Sequence, residues 1–235
     1  MARLKEVLRA ARSAQILGAI SRSGGALDSI ADLVDNFLDS EAMALSVERF
    51  RLLPGGAELL AERPVPVVPN LDVLLELPAG SLGHTYALVI KALGYDPDFA
   101  RPRPVDSEAG WLTQRIATTH DVHHVISGFG PLGEGENGVL AITATQIGYP
   151  AFVVLNIAAG FASVRFHPER LELVNHAIAR GSAMGLSAAP LCAQRWEEGW
   201  DRPVHAWRRQ LGVSDPVITE SYSLAHRLPE LGIDC

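Results

Sequence analysis

The chain has 235 residues, 48% hydrophobic and 20% charged, with a mean hydropathy of +0.14 and a formal net charge of −7. A chain of this length can bury a sizeable core, and its composition is far from the polar, highly charged make-up of disordered proteins. The acidic balance excludes nucleic acid as the main partner, because phosphate binding calls for a basic surface.

The first twenty residues carry Arg3, Lys5, Arg9 and Arg12 against one acid, Glu6, and lack the long apolar core of a secretory signal. Leu4, Val7, Leu8 and Ala11 recur at helical spacing. Two readings stand: a terminal helix packed on the core, or a basic amphipathic helix lying on an anionic membrane surface. A mitochondrial presequence has a similar composition but would leave the rest of the chain little spare length. After a Gly24–Gly25 turn, residues 28–38 read as a helix with Ile30, Val34, Phe37 and Leu38 on one side. Ser40 then caps a helix that ends at the run Leu53, Pro54, Gly55, Gly56. The proline-broken stretch 63–70 is an extended loop. Residues 81–93 form a further helix, and Asp106 or Ser107 starts one that carries Trp111 and Ile116 into a histidine cluster.

Residues 137–164 hold no formal charge, a length sufficient to span a bilayer. Gln146, Gly148, Pro150, Asn156 and Gly160 interrupt it, so the expectation is two helices of about ten to thirteen residues, apolar all round, set in a core or against a greasy ligand. Two more helices follow Pro168, the last carrying Trp196, Trp200 and Trp207. Trp196 and Trp200, four apart, make an aromatic ridge for core packing, or else an interface or headgroup anchor beside Arg202, Arg208 and Arg209. No series of alternating strands and no internal repeat appears, so the fold is all-α, a single helical domain over residues 1–235. The two cysteines, Cys192 and Cys235, suggest no disulfide framework and fit a reducing compartment.

The stretch 118–136 concentrates the chemistry. His120 and His124, four apart, share one helix face, and Asp121 flanks it. Gly128, Gly130, Pro131 and Gly133 end the helix and turn the chain back, delivering Glu134 and Glu136 where the next helix begins. Imidazole and carboxylate are good ligands for divalent first-row ions, and a carboxylate returning across the loop completes a site. His123 points elsewhere on the helix, to the surface or to a supporting position. The likeness to the metalloprotease signature H-E-x-x-H is partial, because Asp121 stands where that chemistry uses a glutamate as general base.

His-Asp-x-x-His followed after eleven residues by Glu, at His120, Asp121, His124 and Glu136, resembles the signature of the coenzyme Q (ubiquinone) biosynthesis protein-four family. The likeness extends over the leucine–proline segment and tyrosine-bearing helix of residues 77–98, the apolar stretch 145–160, and the Trp196–Glu197 pair, and covers roughly residues 70–213. The resemblance implies an all-helical fold with a hydrophobic groove for a polyprenyl lipid, and a metal held by His120, Asp121, His124 and Glu136. Family spacing favours Glu136 over Glu134. The implied activity is carboxy-lyase action on a 4-hydroxy-3-methoxy-5-polyprenylbenzoate, coupled to hydroxylation at the same ring carbon. It also implies peripheral attachment to the inner or cytoplasmic membrane in a bacterium, or to the matrix side of the mitochondrial inner membrane in a eukaryote. A complex of quinone-biosynthesis proteins and a homodimer are the further partners.

Two histidines with carboxylates suit zinc, while two histidines and one carboxylate also suit non-haem iron. A non-catalytic prenyl-lipid carrier or scaffold fits the same composition, with the ion fastening helices. A zinc hydrolase is disfavoured by Asp121.

Overall fold

The computed structural model describes residues 2–23, 26–66 and 68–231. Among these residues the chain is helical throughout, with two isolated β-bridges, Ser81 to Pro203 and Phe129 to Ser223. The helices are α1 (Ala2–Ser23), α2 (Leu27–Asp35), α3 (Glu41–Arg51), α4 (Gly56–Glu62), α5 (Leu71–Leu75) and α6 (Leu82–Leu93). They continue as α7 (Glu108–Ser127), α8 (Glu134–Ile147), α9 (Pro150–Phe166), α10 (Leu171–Ser187), α11 (Val204–Leu211) and α12 (Leu224–Arg227). The expected all-α single domain is observed.

Local chemistry sets many of the helix starts. The side chains of Ser40, Ser81 and Ser107 accept hydrogen bonds from Met43, His84 and Gly110, which satisfies a free amide in the first turn of α3, α6 and α7. Gly148, at φ +68°, closes α8, and Pro150 opens α9 two residues later, where its missing N–H costs nothing.

Two apolar clusters form the core. One gathers α6, the C-terminal half of α7, α8, α10 and α11; the other gathers α2, α3, α4, the N-terminal half of α7 and the start of α9. α7 threads both, with Trp111, Leu112 and Ile116 in the second cluster and Val122, Val125 and Ile126 in the first. That is why it lacks a solvated face. α10 lies against α8 at backbone contact, since a Cβ on Gly181 would fall 2.1 Å from the Gly138 carbonyl oxygen.

Several sequence expectations are revised. Leu4, Val7 and Leu8 are exposed, and α1 instead packs through Ile16, Leu17 and Ile20. At 22 residues α1 is about 33 Å long, and only its later turns reach the apolar body. Its middle is tied down by Arg9, which pairs with Asp39 at 2.8 Å and donates to the Asn36 carbonyl. α2 ends at Asp35 rather than near residue 38, and its fully buried residue is Leu33. The chain turns at Asn36, whose side chain donates to Ser13 Oγ at 3.0 Å. The Gly24–Gly25 turn and Cys235 lie outside the described residues.

The charge-free stretch does form two helices, but only α8 is enclosed. Ile157, Phe161 and Val164 of α9 face outward, and no helix among the described residues is long and apolar enough to cross a membrane. The three tryptophans do not share a helix. Trp196 sits in a 3-10 turn, Trp200 follows it in an irregular turn, and Trp207 alone lies on α11. Pro203 at the start of α11 separates them in the chain. The rings still meet in the core, Trp196 on Trp207 at 4.9 Å and Trp200 on Tyr86 at 5.3 Å.

Candidate metal centre

α7 presents His120 and His124 one turn apart, and Gly128, at φ +84°, ends the helix immediately beyond them. A Cβ on Gly135 would stand 2.1 Å from the Gly130 carbonyl oxygen, so only glycine lets the returning chain lie this close to the loop it has just left. The tight turn sets the first turn of α8 beside the last turns of α7. Glu136 Oε2 is then 3.0 Å from His120 Nε2, Glu136 Oε1 is 3.4 Å from His124 Nε2, and the two Nε2 atoms are 3.2 Å apart. The three groups have ligand atoms all within 4.8 Å of one another.

These distances suit a cation. Ligand atoms at roughly 2.1 Å from a tetrahedral ion stand about 3.4 Å from each other. His124 Nδ1 donates to the Phe129 carbonyl oxygen at 3.0 Å, which leaves its Nε2 as a lone pair aimed at His120 and Glu136. Two imidazole nitrogens and a carboxylate converging this closely call for a shared positive charge. Burial pushes the Glu136 carboxyl up, but the two histidines outweigh it and hold that carboxyl well below its ordinary range. Burial likewise pushes His124 down, and the Glu136 carboxylate more than offsets this, raising it.

Of the four residues named from sequence, His120, His124 and Glu136 come together. Asp121 lines the adjoining cavity but has no carboxylate oxygen within 4.8 Å of all the other ligand atoms. Burial raises its carboxyl above the ordinary range, an effect that the neighbouring histidines partly counter. Glu134 is turned away and paired with Arg170 at 2.6 Å. His123 is not at the surface. It is fully buried beside Trp196, and burial drives its pKa far down, keeping the ring neutral.

A cavity of about 950 Å³ adjoins the triad, lined by His120 and Glu136 but not by the buried His124. His120, Asp121 and Glu136 form one end, and α1, α2, α9 and the 95–103 segment supply mostly apolar walls, among them Leu17, Ile30, Phe99, Leu140 and Phe152. Arg101 and Arg103 tie the wall to the body: Arg101 reaches Asp32 at 2.8 Å and Asp35 at 2.7 Å, and Arg103 reaches Asp35 at 2.7 Å. Sequence reasoning missed two features, the wall built by α1 and α2 and the backbone carbonyl that orients His124. Neither has a residue-type signal, because a carbonyl is common to every residue and the wall is made of ordinary apolar side chains.

Residues 38–217 match the family described as coenzyme Q (ubiquinone) biosynthesis protein Coq4. The match begins well before residue 70, the start of the likeness read from the motifs. The mitochondrial ubiquinone biosynthesis protein COQ4 of Debaryomyces hansenii is 32% identical over 168 residues, 69% of this chain and 51% of the relative. The mitochondrial COQ4 homolog of Rattus norvegicus is 31% identical over 168 residues, 69% of this chain and 62% of the relative. The chain thus spans about half to three fifths of the length of these relatives. A Nostoc punctiforme protein assigned provisionally to ubiquinone biosynthesis, with a crystal structure at 2.85 Å, superposes with a TM-score of 0.81 at 29% identity, covering 91% of this chain and 99% of that one. On residues 38–217, this chain belongs to the Coq4 family of coenzyme Q (ubiquinone) biosynthesis proteins.

Proposed function

We propose that the chain acts in quinone biosynthesis as a metal-dependent oxidative decarboxylase, exchanging the ring carboxylate of a polyprenylated 4-hydroxybenzoate for a hydroxyl. Carbon dioxide leaves, and dioxygen and water are the co-reactants, the dioxygen taking the two electrons as hydrogen peroxide. The observation that carries this reading is the junction of the His120–His124–Glu136 triad with an apolar cavity of about 950 Å³. A polar head at the triad and an isoprenoid tail along the walls would each meet matching chemistry. Burial of tail surface contributes affinity at roughly 25 cal/mol per Å².

His120, His124 and Glu136 would hold the ion, with Asp121 beside them as the further carboxylate; zinc is the first candidate and iron the second. A bound divalent ion supplies Lewis-acid contact to a carboxylate or phenolic oxygen. Asp121, lining the same cavity, would be the group to exchange a proton with the aromatic head. Phe152, its ring 5.8 Å from that of His120, lines that end with apolar surface. The test is release of labelled carbon dioxide in air from carboxyl-labelled 4-hydroxy-3-methoxy-5-prenylbenzoate by zinc- or iron-loaded protein, with His120→Ala as control. No release from either loaded form overturns the reading.

A lipid-binding scaffold at a membrane surface, within a quinone-biosynthesis complex or as a homodimer, is the second reading. The outward Ile157, Phe161 and Val164 of α9, with Leu4, Val7 and Leu8 of α1, favour it. A His120→Ala/His124→Ala protein that still binds prenyl lipid and restores quinone synthesis in a deficient strain would select the scaffold over the enzyme.

A further inference from the structure

The loop that orients His124 is itself held by residues at and beyond the end of the family match. Residues 222–224 lie antiparallel to residues 128–130 through two backbone hydrogen bonds, and Val217 adds a third bond to Ser127. Val217 N donates to the Ser127 carbonyl at 2.9 Å, Leu224 N to Gly128 at 2.7 Å, and Gly130 N to Tyr222 at 2.8 Å. Gly128 permits the approach, since a Cβ there would lie 2.2 Å from the Val217 carbonyl oxygen. Phe129, between those bonds, is caught between two surfaces. Its ring stacks on Tyr222, centroids 5.9 Å apart and planes 16° from parallel. Its other neighbour is Gly138 of α8, where a Cβ would stand 2.2 Å from the ring. Tyr222 is fixed in turn by its hydroxyl, 2.9 Å from His176 Nδ1 on α10. Phe129, Tyr222 and Ser223 are fully buried.

We propose that residues 217–224 are a strap that holds the Phe129 carbonyl against His124 Nδ1, with Tyr222 as the positioning residue, and so fixes which imidazole nitrogen faces Glu136. The role follows from hydrogen-bond chemistry. A neutral imidazole carries its proton on one nitrogen, and an immovable acceptor beside Nδ1 keeps the proton there and the lone pair on Nε2. A loop free to swing would let the proton sit on either nitrogen, so that part of the histidine population would face Glu136 with an N–H instead of a lone pair. The inference rests on the metal reading only for its consequence; the Phe129 carbonyl stands 3.0 Å from His124 Nδ1 in the protein without metal.

The experiment uses the full chain, stripped of metal, with nitrogen-15-labelled histidine, observed by long-range proton–nitrogen correlation at pH 8. Wild type and Tyr222→Phe, which keeps the stacked ring, should show a His124 Nδ1 proton hydrogen-bonded to the Phe129 carbonyl. Tyr222→Ala should show a mixture of tautomers and bind cobalt(II), followed by its visible absorption, about tenfold or more weakly. A folded Tyr222→Ala protein with the wild-type tautomer and wild-type cobalt affinity overturns the proposal. If that variant does not fold, Gly130→Ala replaces it, because its Cβ would press the Tyr222 carbonyl at 3.0 Å and shift the strap; an unchanged tautomer there is equally decisive. A wild type with the expected tautomer that takes up no cobalt supports the strap while refuting the metal reading.

Discussion

Arg170 Nε stands 2.6 Å from Glu134 Oε1, and this pair decides which of two neighbouring glutamates faces the histidines. Burial pushes the Glu134 carboxyl up, but the Arg170 guanidinium outweighs it and holds the carboxyl below the ordinary range. Arg170→Ala should destabilise the fold by roughly 1–3 kcal/mol, since it strands a buried carboxylate while the lost arginine was half exposed. A depressed carboxyl stabilises above its unfolded value of 4.5 and loses that contribution as pH falls through the lower folded value. The stability gap between wild type and Arg170→Ala, followed by urea unfolding, should therefore be full at pH 6–7 and shrink on acidification below that value.

The triad should couple stability to metal. Zinc at a hundredfold over its dissociation constant should add about 2.7 kcal/mol, raising Tm by roughly 5–11 °C for a chain of this size. A chelator should reverse the shift, and His120→Ala or Glu136→Ala should abolish it, because each removes one of three donors. Scanning calorimetry with and without zinc checks this; an equal shift in the variants would place the ion elsewhere.

The wall formed by α1 and α2 hangs on arginines. Arg101 and Arg103 bind Asp32 and Asp35, and Arg9 binds Asp39, while Leu33 is the buried apolar anchor of α2. Arg101→Ala combined with Arg103→Ala should weaken this wall by about 1–2 kcal/mol, speeding local amide exchange roughly 5- to 30-fold. Exchange in α10 should stay unchanged. Salt at 0.5 M should speed wild-type exchange in α1 and α2 in the same sense, through screening.

Cys192 tests the second core cluster. Burial pushes its thiol up to about 12, so it is neither exposed nor ionised at neutral pH. In a Cys235→Ser background the native protein should resist maleimide labelling for hours and react at once in 6 M urea. Rapid native labelling would show that the cluster around Trp111 and Phe50 opens more readily than its burial implies.

The metal donors were legible because they sit on one helix and across one glycine turn, where spacing alone brings His120, His124 and Glu136 together. The choice between Glu134 and Glu136 was not legible from local spacing, because it depends on Arg170, distant in the chain. The cap at Ser40 and the helix start near Ser81 were readable for the same local reason, while the choice of Ser107 over Asp106 as a cap came from the structure. The tryptophan segment misled, since four-residue spacing between Trp196 and Trp200 mimics a helix that the turns around Gly199 and Pro203 do not form. The inward face of α1 was also misjudged. Its apolar residues occur along the whole helix, and only tertiary placement selects Ile16, Leu17 and Ile20 over Leu4, Val7 and Leu8.

The helices that precede residue 38 furnish one side of the chamber, while the donors to an ion all come from inside the family match. That one wall and the donor set therefore lie in separate stretches of the sequence. Reshaping Ala14, Leu17 or Ile30 would retailor the room for a longer, shorter or bulkier guest while the chemical end stays as it is.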